Sequence, residues 1–160
     1  MSRTGRPAPL AAAAGFRGTV LTVALVGVVG VLAPGCGIVS RPDAAAWDQQ
    51  ARRSLTDAAS QVSTARLALE TAAERRTWPA YATVVVAKAE EAAGTAEEDL
   101  ARLQAPPQRA DAAATVLDLL DEAVSLVAEA RAHAVEGRYD DSALLDDLDR
   151  IAGELEQAAP

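Results

Sequence analysis

The chain has 160 residues, 15 Lys and Arg against 23 Asp and Glu, and a formal net charge of -8. All 23 acids but only 12 of the 15 basic residues lie beyond residue 36, so that part carries -11. A surface of this sign repels phosphate, which excludes nucleic acid as a partner and excludes adhesion to anionic headgroups by charge alone. A single cysteine, Cys36, excludes an internal disulfide, and the length beyond it allows one domain with a modest core.

In chain order the first element is apolar. Arg3, Arg6 and Arg17 precede fifteen uncharged, mostly aliphatic residues, Thr19 to Ala33, and these run into Pro34-Gly35-Cys36-Gly37. A basic start, an apolar stretch and a small-residue cleavage context form the layout of an export signal. The segment resembles a bacterial lipoprotein signal peptide with a degenerate lipobox. Gly35 fits that pattern, Ala33 stands where Leu is usual, Leu32 is one position early, and Pro34 is uncommon in its slot. The resemblance implies a signal peptide over 1–35, a Cys36 thiol that receives diacylglyceryl and becomes the first mature residue (acylated, as with palmitate), and a short tether over 36–42. The alternative is an uncleaved anchor, because 23 residues from Gly18 to Ser40 carry no charge and about 20 suffice to span as a helix. Against spanning, Pro34, Gly35 and Gly37 break its last third, and the fifteen residues ahead of them cover only about 22 Å. Both readings keep the amino end in the cytoplasm and place the rest at the outer face of the cytoplasmic membrane.

The remainder, 43–160, is patterned as helix throughout. A first helix is predicted over 43–76, with a seam of Trp47, Ala51, Leu55, Ala58, Val62, Ala65, Leu69 and Ala72 in steps of three and four. Arg75 and Arg76 close it with charge suited to the negative end of the helix dipole. Trp78-Pro79 breaks the chain and starts a second helix over 79–104, with Tyr81, Val85, Ala89, Ala92, Ala96, Leu100 and Leu103 as its stripe. Gly94 weakens it by about 1 kcal/mol unless close packing uses the missing side chain. Pro106-Pro107 makes the next break. A third helix over 108–136 carries two apolar rows, Ala113, Leu117, Leu120, Val124 and Val127, and Val116, Leu119, Ala123, Leu126 and Ala130, and stops at Gly137. A fourth follows over 142–158, capped by Asp140 or Asp141, with Leu144, Leu145, Leu148, Ile151, Ala152 and Leu155 on one face.

Four amphipathic helices with short connections predict an all-α, up-down-up-down antiparallel four-helix bundle behind an N-terminal signal or anchor helix. Helix three, about 44 Å long, outreaches helix four at about 26 Å. Val116 and Leu119, with Trp47 and Ala51 across the gap, are therefore expected to line an open apolar groove near the membrane. Alanine makes up about a quarter of the chain, Lys88 is the only lysine and asparagine is absent, a bias of GC-rich genomes. The stretch from Trp78 to Glu98, Leu103, the proline pair and an Ala-rich helix ending at Gly137 resembles small uncharacterised actinobacterial helical lipoproteins, which imply no activity or site.

Residue types for catalysis are scarce. His133, the sole histidine, has Glu129 and Glu136 at helical spacing, a pattern that reads as a solvated helix face before it reads as a metal site. The carboxylate clusters on helices two and four lack the Gly-punctuated loop of a calcium site. Ser54, Ser60, Ser63 and Ser125 lie inside helices without a neighbouring base or a Gly-x-Ser-x-Gly elbow. No metal or cofactor is expected. The sequence leads to a non-catalytic, membrane-anchored envelope protein acting as an interaction or structural module, held to lipid through Cys36 and meeting a membrane or envelope protein. The alternative is a ligand- or metal-binding accessory lipoprotein.

Overall fold

The computed structural model describes residues 43–158. The expected signal peptide, Cys36 and the expected tether lie outside them. Every described element is helical: α1 (Ala44–Ala73), α2 (Pro79–Ala101), a 3-10 turn (Pro107–Arg109), α3 (Ala110–Glu136) and α4 (Ser142–Ala158). Together they form a helical bundle in which α1 and α3 pack on each other and each packs on both α2 and α4.

Asp43 starts α1, its Oδ1 accepting from Ala46 N–H at 2.7 Å, which satisfies one of the free amides of the first turn. Every residue of the predicted seam from Trp47 to Ala72 is buried. The helix stops at Ala73, three residues before its expected end, in a Schellman motif: Arg76 N–H donates to Thr71 C=O at 2.9 Å and Arg75 N–H to Ala72 C=O at 3.0 Å. α3 ends the same way, with Arg138 N–H on His133 C=O and Gly137 N–H on Ala134 C=O. Both motifs need a left-handed residue. In α3 it is Gly137 at φ 72°, whereas in α1 it is Arg75 at φ 57°, where an L side chain costs about 1–2 kcal/mol.

Trp78, extended, and Pro79 start α2 as expected. Its buried stripe is Ala82, Val86, Ala89, Ala93, Ala96 and Leu100, rotated from the predicted one. Tyr81 is exposed, while Val85, Ala92 and Leu103 are half-buried. The valine run Val84–Val86, with Ala87 and Ala89 behind it, is apolar around the whole helix, so several phases bury equal area. The phase adopted places the small Ala82, Ala89, Ala93 and Ala96 inward, which permits close helix approach. Gly94 is not used for packing: a Cβ built there meets nothing within 4 Å. Gly94→Ala is expected to stabilise the protein by about 0.5–1 kcal/mol, visible as a raised denaturant midpoint at unchanged slope.

In α3 the two predicted rows merge. Ala113, Val116, Leu120, Ala123, Val127, Ala130 and Ala134 form one buried seam, flanked by half-buried Leu117, Leu119, Val124 and Leu126. α3 packs on α1, α2 and α4, most extensively on α2. Asp141 caps α4, its Oδ1 accepting from Ala143 N–H at 3.2 Å and Leu144 N–H at 3.3 Å. Leu144, Leu148, Ile151 and Leu155 hold α4 to the core. On α2, Glu98 pairs with Arg102 one turn later. Arg150 of α4 pairs with Glu122 of α3 at 2.6 Å, with Glu154 at 3.0 Å and with Asp147 at 3.7 Å.

Candidate functional site

The groove expected between α3 and α1 is closed. Trp47, Ala51 and Val116 are buried, and Leu119 packs half-buried against the core. α4 runs far enough for Ala158 to meet Trp47 and Val116 around a cleft of about 240 Å³. In the first turns of α3, Ala110, Asp111, Ala112, Ala114 and Thr115 are exposed. Arg109 seals the cleft's rim by a bidentate pair with Asp48, both contacts at 2.7 Å. The hydrogen bonds from Arg109 hold the Asp48 carboxyl below its ordinary 3.8, and Asp48 in turn raises the guanidinium. A carboxylate depressed by folding contributes stability that is present above its unfolded pKa and lost as pH falls through the folded value. Asp48→Asn should therefore lower the melting temperature at neutral pH and flatten its fall below about pH 4, as a melting series from pH 2 to 7 would show.

His133 is not on a solvated face. It is 5% exposed, beneath the turn from α3 to α4. Its Nε2 lies 3.8 Å from Glu129 Oε1, and its Nδ1 lies 3.7 Å from Asp141 Oδ2 and 3.4 Å from Arg138 Nη1. Glu136, the other expected neighbour, pairs with Arg138 instead. A guanidinium at the imidazole repels a cation. Among the described residues no three His, Cys, Asp or Glu side chains are placed to hold a metal ion. Ser54 is buried with no partner for its hydroxyl. The Asp48–Arg109 pair sets the start of α3 beside the start of α1, so His133 lies about 36 Å further along α3, out of reach of Ser54.

The exposed apolar side chains are gathered at one end. Leu67, Trp78, Tyr81, Val84 and Val135 are the large hydrophobic residues left open among those described. Leu67 is within two turns of the end of α1, the next three begin α2, and Val135 is one residue from the end of α3. Thr83 Oγ1 donates to Ala134 C=O at 3.3 Å and brings the last two together. Among the described residues no such side chain lies at the end formed by Asp43, Ala101 and Ala158. Trp78 and Tyr81, 83% and 63% exposed, line a shallow cleft of about 540 Å³ with Arg76, Thr77 and Ala80. Soluble chains keep such patches small unless they bind something.

Tight local geometry holds these side chains out. The Schellman turn sends the chain sharply out of α1, and Thr77 N–H donates to Thr71 C=O at 3.2 Å. Pro79 fixes the next turn, so Trp78 stands at the apex with little freedom. Arg76 pairs with Glu74, whereas Arg75 makes no ion pair among the described residues. The Thr77 hydroxyl, shielded from solvent at the cleft, has no hydrogen-bond partner. Sequence reasoning treated Arg75 to Pro79 only as a helix break. The available signal was composition, since two of the chain's five aromatic residues fall within four positions.

No family, curated protein or solved structure matches this chain. No described helix is long and apolar enough to cross a membrane.

Proposed function

We propose that this is a non-catalytic, membrane-anchored extracytoplasmic protein whose helical bundle serves as an interaction module, with the Trp78–Tyr81 end as its recognition surface. The observation that carries this reading is the one-sided placement of exposed apolar residues at the end remote from Asp43. We read the four helices as an up-down-up-down antiparallel bundle. In support, Asp48 meets Arg109, Glu90 meets Arg131, Glu122 meets Arg150 and Arg66 meets Asp149. In that arrangement the 30 residues of α1 carry the aromatic end about 45 Å from the start of the helix. The anchor rests on the apolar stretch before Cys36 and its likeness to a lipoprotein signal, with two acyl chains supplying the stable hold that one does not. A lipoprotein of this kind stands on the outer face of the cytoplasmic membrane and presents its aromatic end to a partner in the envelope.

Two substitutions test the two halves. Cys36→Ser should release the protein from membranes or leave an unprocessed precursor, and mass spectrometry finding an unmodified Cys36 behind an intact leader would replace the lipoprotein by a signal anchor. A photo-crosslinking amino acid at Tyr81 should give a discrete adduct in the protein's own cells, while the same probe at Ala101 should not. Equal adducts from both positions would end the assignment of the recognition surface.

A further inference from the structure

We propose that His133 is a pH-sensitive latch on the turn joining α3 to α4: on taking up a proton at Nδ1 it exchanges Arg138 for Asp141, which couples the cap of α4 to the acidity of the medium. Histidine is the side-chain type whose charge ordinarily changes between about pH 5 and 8, and this chain has one. It is buried in the last turn of α3, yet its Nδ1 faces a cation and an anion together, Arg138 Nη1 at 3.4 Å and Asp141 Oδ2 at 3.7 Å. Its Nε2 faces Glu129 Oε1 at 3.8 Å. Among the described residues, α1, α2 and the body of α4 bring no further charged group within ion-pair distance of the ring. A neutral imidazole accepts at one nitrogen and donates at the other, whereas the imidazolium donates at both. In the neutral ring Nδ1 accepts from Arg138 and the Nε2 hydrogen points to Glu129. In the charged ring Arg138 is repelled, and the acceptors at hand are Glu129 and Asp141, each about 1 Å beyond hydrogen-bond length.

The two partners of Nδ1 are held unequally. Arg138 already gives its Nε and Nη2 to Glu136, at 2.7 and 2.6 Å, and its side chain is half exposed, so Nη1 can leave the ring for water without breaking that pair. Asp141 keeps its Oδ1 on the amides of Ala143 and Leu144, at 3.2 and 3.3 Å, while its Oδ2 faces the ring. Those cap bonds lie at the long end of the normal range, so a carboxylate drawn toward His133 alters them. The proton is thereby felt in the first turn of α4, a helix held by four buried anchors.

Two-dimensional NMR of the full chain in non-ionic detergent, titrated from about pH 8 to about pH 5, tests the latch. The amide resonances of Ala143 and Leu144 should move on the same curve as the resonances of the His133 ring. His133→Gln should abolish that movement. Asp141→Ser separates the latch from the cap itself, because serine still caps a helix but offers the ring no charge. In that variant the ring should titrate while the two amides stay still. Amides that stay still in the parent as the ring titrates, or that move equally in His133→Gln, overturn the proposal. So does a ring that takes up no proton over this range, and so does movement retained in Asp141→Ser, which assigns the effect to some other group. If His133→Gln fails to fold, the parent and Asp141→Ser titrations decide by themselves.

Discussion

Replacing Trp47 with alanine is expected to cost about 3–5 kcal/mol of folding stability and to lower the melting temperature by about 10–20 °C for a domain of this size. Trp47 is 2% exposed and shares its surroundings with Val116, Ala158 and the Asp48–Arg109 pair. Truncation removes the largest side chain in the core and leaves a cavity that two helix ends cannot collapse to fill. The result separates a packed base from an open groove. An indole lining a groove could be removed at a cost within about 0.5 kcal/mol, so a melting curve close to the parent's would reinstate the groove. Fluorescence gives a second readout, because Trp78 is then the only indole left and the remaining emission should be red-shifted and readily quenched by acrylamide.

Leu148→Ala should cost about 2–5 kcal/mol, and the loss should be concentrated in one element. α4 has 17 residues and four buried anchors, Leu144, Leu148, Ile151 and Leu155. A helix of that length is marginal in water without tertiary support, so removing the second anchor should let α4 open before the rest unfolds. Amide exchange should accelerate in α4 well ahead of α1 and α3. Uniform acceleration along the whole chain would instead show that α4 never separates from the other three helices. The consequence reaches the end of α3, since the cap of α4 is Asp141 and its carboxylate also faces His133. Loosening α4 exposes the only histidine and unsettles the last turn of α3 beside Val135.

The helix breaks were legible because each is made locally. Asp43 and Asp141 satisfy amides within their own first turns, Pro79 and the Pro106-Pro107 pair preclude continuation, and Gly137 takes a left-handed angle. None of these needs a distant residue. The end of α1 was read three residues too far for the complementary reason. Arg75 is a good helix former, and nothing nearby marks it as the residue that turns left-handed. His133 was misread because its burial comes from Asp141 and Arg138 folding back over it, a contact made only once α4 has docked.

Sequence alone determined that this chain forms four helices beyond its apolar leader, and it determined the inward face of α1. Polar and apolar residues alternate there so regularly that only one helical phase buries Trp47 through Ala72 without burying charge. Tertiary structure decided the rest. In α2 and α3 apolar residues surround the helix, so propensity and periodicity leave the phase open until a neighbour covers one side. Packing placed the alanines of α2 against that neighbour and turned Trp78, Tyr81 and Val84 outward. The same packing closed the groove predicted at the base, because the reach of α4 depends on where it docks as well as on its length. Which apolar side chains remain in water is a property of how helices meet, and here it left them at the end of the bundle opposite the predicted groove.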